Sequence, residues 1–185
     1  VISLAAIIVL TNLGYRVAYD TAASRPLWCA YELEPHEVVK AQRAAITFRA
    51  DTRLGGADKR VSFDGYDRGH LAPAADFNWS TNALRETYLL SNIVPMHPRV
   101  NRGAWARTED EVRRLAASGT VNVVIWPEYS SGQIPSAFHK VAYGWFGLRH
   151  WHFNNLAVVR ECNLTDWPCS EGKHGGETGQ HRGNL

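Results

Sequence analysis

The stretch "NRGAWARTEDEVRRLAAS", from Asn101 to about Ser118, is the strongest helix signal in the chain, and it carries an amide on its apolar side. At ~100° per residue, Trp105, Thr108, Val112 and Leu115 fall on one stripe, with Arg107, Asp110, Arg113 and Arg114 opposite. Asn101 lies on the same stripe as Trp105 and Val112, so a polar group faces the protein body where the helix begins. An unpaired buried amide costs roughly 1–3 kcal/mol, and Asn101 therefore needs a partner. An N-cap is the commoner explanation, because Asn is among the best caps. A metal ion or a phosphate is the sharper one, and helix geometry leaves both open.

Strands supply the surface such a stripe packs on. "YRVAYD" (15–20) and "LWCAYEL" (27–33) alternate apolar and polar residues, and "TAASRP" between them reads as the turn of a hairpin. "TFRAD" (47–51) is a weaker strand candidate, and "RLGGADKR" reads as a flexible loop. Ser80 caps a short helix, "TNALRETY", and Pro73 disfavours helix at Ala72. "VNVVIW" (121–126) is the clearest buried strand, and "SAFHKVAYGWF" (136–146) is another candidate. The expected fold class is α+β, with a central, mainly antiparallel sheet flanked by helices.

At 185 residues the chain is expected to form one domain over residues 1–169, followed by a disordered tail over 170–185 with almost no apolar content. A net charge of +2 is too small to announce nucleic-acid binding, so any basic surface must be a local patch. The opening "VISLAAIIVL" is too short to span a bilayer of ~30 Å as a helix. It reads equally as the remnant of a signal-peptide core or as an ordinary buried element, and the initial Val1 suggests a processed product or a fragment. Of three cysteines, Cys162 and Cys169 are spaced for a small loop disulfide in an exported protein, with Cys29 left as a buried thiol. Three reduced structural cysteines is the equal alternative. A secreted or periplasmic location is slightly favoured.

Two segments carry chemistry. In "YDRGHLAPAADF" (66–77), residues two apart in an extended chain point the same way, so Arg68 and His70 face one phosphate together. A neutral histidine takes a proton from water near pH 7, and an arginine grips a phosphate with two parallel hydrogen bonds. Gly69 between them allows a ligand or backbone to approach closely. An Asp67–Arg68 ion pair beside an incidental histidine is the commoner cause of such a string. The second segment, "SNIVPMHPRVNRGAWARTE" (91–109), offers Asn92 and Asn101 as oxygen donors and Glu109 as a carboxylate. Mg²⁺ prefers oxygen ligands and keeps several waters. Asn101 and Glu109 are about 12 Å apart along a helix axis, too far to bind one ion directly, although a long glutamate leaning back reaches the ion's waters.

Together, "DRGHLAPAADF" and "LSNIVPMHPRVNRGAWARTE" resemble the signature of the DNA/RNA non-specific endonucleases, the ββα-metal nucleases. "GYRVAYDTAASRPLWCAYEL" resembles their N-terminal hairpin and "IPSAFHKVAY" a later strand, so the likeness covers roughly residues 8 to 143. The resemblance implies a ββα-metal unit and Mg²⁺, with Mn²⁺ as a substitute, acting on DNA and RNA to leave 5′-phosphates. It implies His70 as general base, Asn101 as direct metal ligand, and Arg68 beside the scissile phosphate. Glu109 would orient metal-bound water, and Asn92 would be a supporting amide of the active site. A homodimer occurs in the family.

Three departures stand out. Met96 occupies a position where the family usually has glutamine. A second substrate-binding arginine has no secure counterpart, Arg49 being the nearest candidate. Beyond about residue 145 the sequence leaves the family's pattern, so a final strand or helix is expected to be missing or rebuilt. A catalytically impaired nucleic-acid-binding relative is therefore the alternative function, and a structural domain with an ion-paired "DRGH" loop the third. His36, His97, His139, His150 and His152 look scattered, as surface or packing residues.

Overall fold

The computed structural model describes residues 7–39 and 45–156. The first three strands, β1 (Ile7–Thr11), β2 (Tyr15–Asp20) and β3 (Arg25–Leu33), form a meander. Next come β4 (Asp67–His70), helix α1 (Thr81–Thr87), β5 (Ile93–Met96) and helix α2 (Ala106–Ala116). Three strands finish the described chain: β6 (Val121–Glu128), β7 (Ala137–Gly144) and β8 (Gly147–Asn154). Six of the strands make one sheet in the order β1-β2-β3-β6-β7-β8, and β4 pairs with β5 in a separate ribbon. Every strand pair in both sheets is antiparallel.

Alternation along the strands decides which face carries the core. β6 buries Val121, Val123 and Ile125 while the residues between them are partly exposed. Phe138 and Ala142 of β7 and Trp151 and Phe153 of β8 join them on that face. Helix α2 lies across it. Trp105, Thr108, Val112 and Leu115, the residues of the expected stripe, are all buried. The Trp105 ring sits 5.6 Å from both Phe138 and Phe153, centroid to centroid. Burial of such a side chain stabilises the fold by roughly 1.5–3 kcal/mol, so Trp105→Ala is the single change that most loosens the helix from the sheet.

The hairpin of β2 and β3 turns at residues 21–24, and Ser80 caps α1 by accepting from the Ala83 amide. Three expectations change. "TFRAD" contributes only a bridge from Arg49 to Leu89. "RLGGADKR" is ordered into two 3-10 turns, with Gly55 and Gly56 between them at φ of 58° and 90°. Beyond residue 145, where a final strand or helix is expected to be missing or rebuilt, a full strand, β8, completes the sheet, because "GLRHWHFN" alternates well enough to pair with β7. Of the apolar opening, the described residues Ile7–Leu10 belong to edge strand β1, with Ile7 and Val9 largely exposed and Leu10 buried. Cys29 is a buried free thiol, and burial pushes its pKa up. Cys162, Cys169 and the tail 170–185 lie outside the described residues.

Candidate active site

The β4–β5 ribbon leads through a π-helical turn (Val100–Trp105) into α2. That turn is where Asn101 sits. The helix is not continuous from residue 101, because Gly103 leaves helical geometry (φ −113°, ψ −105°) and kinks the chain before Ala106. Asn101 is therefore not an N-cap: its backbone amide donates to the His97 carbonyl at 3.0 Å, inside the turn. Its side-chain partner is Asp67. Asn101 Nδ2 donates to Asp67 Oδ2 at 2.9 Å, across the ribbon. The same carboxylate accepts from Arg102 Nε at 2.8 Å and Nη2 at 2.6 Å. The Arg102 guanidinium, assisted by the Asn101 amide, holds Asp67 below the usual carboxylate range.

Arg68 and His70 point to one side of β4 as their spacing requires. A phenylalanine links them. The Arg68 guanidinium lies 5.4 Å from the centroid of Phe48 and 5.5 Å from that of Phe63, and the His70 ring lies 5.5 Å from Phe48. Tyr88 meets the His70 ring edge-on at 5.0 Å. His70 Nε2 is enclosed, with no hydrogen-bond partner among the described residues. Burial without a compensating charge pushes the His70 pKa down to about 4, so the ring is a neutral base at any ordinary pH.

Gly69 has a different purpose from the one expected. A Cβ there would stand 2.6 Å from Met96 Cβ and 2.9 Å from Met96 Cε. The close approach is that of a buried side chain on β5, not of a ligand. Met96 is fully buried, so the departure from glutamine fills space beneath the ribbon with an apolar group.

An open cleft of about 740 Å³ is lined by Phe48, Phe63, Asp67, Arg68, Asn101 and Arg102, among others. It brings the arginine and the amide together, with His70 behind Phe48. The remaining candidates stand elsewhere. Asn92 is fully buried, and its side chain is consumed: Oδ1 accepts from Ala72 N, while Nδ2 donates to the Ala72 and Thr87 carbonyls, each at 2.9 Å. It positions the turn after His70 rather than touching a substrate. Arg49 is exposed and lines a separate cleft with Leu13, Asn82, Arg85 and Glu86.

Glu109 does not line the cleft of Arg68 and Asn101. It belongs to a charge cluster beneath α2 with Lys140, Asp76 and Arg113. Lys140 is fully buried, donates to Thr108 Oγ1 at 3.0 Å and lies 3.8 Å from the Trp105 ring centroid. Arg113 donates to Asp76 at 2.7 Å, and Tyr31 donates to the same carboxylate at 2.8 Å. Burial raises the Glu109 pKa and lowers that of Lys140, and each opposite charge offsets part of the other's cost.

The donor set fits a hydrated hard cation. Asp67 satisfies the amide nitrogen of Asn101, which leaves the carbonyl oxygen as the end to offer a metal, and Mg²⁺ takes oxygen ligands while retaining waters. Phe48, Phe63 and Tyr88 escaped the sequence reading. Nothing in their spacing marks them, since the β4 loop gathers them from separate segments.

A model of the DNA/RNA non-specific endonuclease family matches residues 5–171. Human mitochondrial Endonuclease G is 37% identical over 112 residues, which is 57% of this chain and 37% of that protein. A nuclease of Nostoc sp. is 34% identical over 125 residues, 64% of this chain and 45% of its own length. The chain thus spans less than half the length of either relative. Among solved structures, the EndoG/EndoGI complex, described as revealing the mechanism of EndoG inhibition, superposes with a TM-score of 0.68 at 26% identity. The match covers 81% of this chain and 75% of that one.

Proposed function

The chain belongs to the DNA/RNA non-specific endonuclease family, and from that premise we propose that it is a metal-dependent endonuclease hydrolysing phosphodiester bonds of DNA and RNA with little sequence preference. The observation that carries the proposal is the single cleft shared by Arg68 and Asn101, with a neutral, partly exposed His70 packed against the cleft's Phe48 wall. The exposed Arg68 guanidinium makes no hydrogen bond or ion pair among the described residues, so it is available to grip a phosphate with two N–H groups. His70 accepts the proton of the attacking water. Asn101 would hold Mg²⁺, or Mn²⁺ in its place, through its carbonyl oxygen. The bound ion supplies positive charge that offsets the charge building on the phosphate. Glu109 stands outside this cleft, in the charge cluster with Lys140, Asp76 and Arg113, and takes no direct part at the metal. The products carry 5′-phosphates.

Incubating purified protein with plasmid and with RNA, in Mg²⁺ or in EDTA, tests the reading. Cleavage of both in Mg²⁺, its loss in EDTA and its loss in His70→Ala are the expected results. DNA binding without cleavage would identify a silent relative, and near-wild-type nicking by His70→Ala would remove the general-base assignment.

A further inference from the structure

The histidines that look scattered in the sequence converge on the opposite face of the six-stranded sheet. His139 pairs across the strands with Trp126 on one side and His152 on the other. Glu128 lies two residues beyond Trp126 and His150 two residues before His152, so all five share one face. The alternate residues Phe138, Lys140, Trp151 and Phe153 point to the α2 side, which separates this group from Asn101 by the thickness of the sheet.

We propose that Glu128, His139 and His152 form a second metal site, selective for a transition ion of the Zn²⁺ type. One ligand atom from each lies within 4.8 Å of the other two. Two imidazole nitrogens and one carboxylate oxygen are a donor set that suits zinc, whereas Mg²⁺ and Ca²⁺ select oxygen alone. His139 is 4% exposed, and His150 Nε2 lies 2.9 Å from its Nδ1. A neutral imidazole carries one N–H. His139 Nε2 contacts Glu128 directly, and which ring nitrogen carries the proton depends on the tautomer. A bound cation would take the place of the Nε2 proton, leaving the His139 N–H on Nδ1 toward His150, the outer contact that fixes a ligating histidine's tautomer. Trp126 stacks on the His139 ring at 4.7 Å and 8°, which clamps the ring's plane. Glu128 reaches solvent, so water completes a four-coordinate set.

Calorimetric titration of the full chain with Zn²⁺ alone, after chelator treatment and dialysis into Mg²⁺ buffer, tests the site. A single equivalent of Zn²⁺ is expected to bind despite the excess Mg²⁺. Glu128→Gln and His152→Gln, at partly exposed positions, each weaken it at least about tenfold, and His150→Gln weakens it about 10–100-fold. Urea unfolding of each variant confirms its fold. Asn101→Ala retains wild-type Zn²⁺ binding, so failure here and failure of the phosphate site are told apart. No stoichiometric binding overturns the proposal. So does equal binding by wild type and variants, which places the ion elsewhere.

Discussion

The pH response of His70 follows from its surroundings with a definite magnitude. Free imidazole titrates near 6.5, and burial against Phe48 and Tyr88 brings His70 down to about 4. That difference corresponds to roughly 3 kcal/mol against the imidazolium form. The unfolded chain therefore carries an extra proton between about pH 4 and 6.5, so stability falls as pH drops through that window and levels off below it. Two measurements read the effect. The acid limb of kcat/KM, which reports the free enzyme, is expected near pH 4, while that of kcat is displaced upward by the bound phosphate's charge. Urea unfolding between pH 7 and 4 should show wild type losing more stability than His70→Asn, by an amount approaching the same ~3 kcal/mol. Glu109, raised by burial, is the other group able to set an acid limb, and Glu109→Gln separates the two. An acid limb of kcat/KM near 6.5, with equal pH slopes for wild type and His70→Asn, would show a solvated ring and refute the packing argument.

Gly69→Ala forces a methyl group onto Met96 and is expected to cost about 1–3 kcal/mol in urea unfolding, relieved in part by adding Met96→Ala; an unchanged midpoint would show that Met96 yields freely. Asn92→Ala orphans the Ala72 amide and two carbonyls, at about 1–3 kcal/mol for each buried group, and a loss below 1 kcal/mol in the same assay would deny Asn92 its bracing role. Asp67→Asn removes the Arg102 pair and one acceptor for the Asn101 amide, so the Mg²⁺ concentration for half-maximal cleavage should rise about 10–100-fold; an unchanged Mg²⁺ requirement would sever Asp67 from the metal.

Elements whose signal is local were legible. The β2–β3 hairpin, the cap at Ser80, β6 and the buried stripe of α2 each follow from alternation, turn residues or helical period read within one segment. Strand β8 escaped the reading because unfamiliar sequence after residue 145 hid the alternation of "GLRHWHFN", in a stretch that the family model still matches. In the site, the pairing of Arg68 with His70 on one face was legible, since a period of two fixes it. The Phe48 wedge and the Asn101–Asp67 bond were not, because each joins segments far apart in sequence. Asn92 illustrates the limit differently. Residue type marks an amide as a ligand or a brace equally well, and only its three backbone partners decide for the brace.

The run of polar residues in "DRGH" is explained by a division of partners. Asp67 turns to Asn101 and Arg102, Arg68 to the cleft, Gly69 to Met96, and His70 to Phe48 and Tyr88. The charge on Asp67 is the delicate element. A bare carboxylate this close to the Asn101 amide would compete as a metal ligand and cancel positive charge that a phosphate needs. Arg102 occupies both carboxylate oxygens, so Asp67 acts as a hydrogen-bond acceptor that aims the amide. As the proposed metal ligand, a neutral amide would leave the ion's charge for the substrate. The ion pair that looks like the structural alternative to catalysis is, on this geometry, what makes the amide usable.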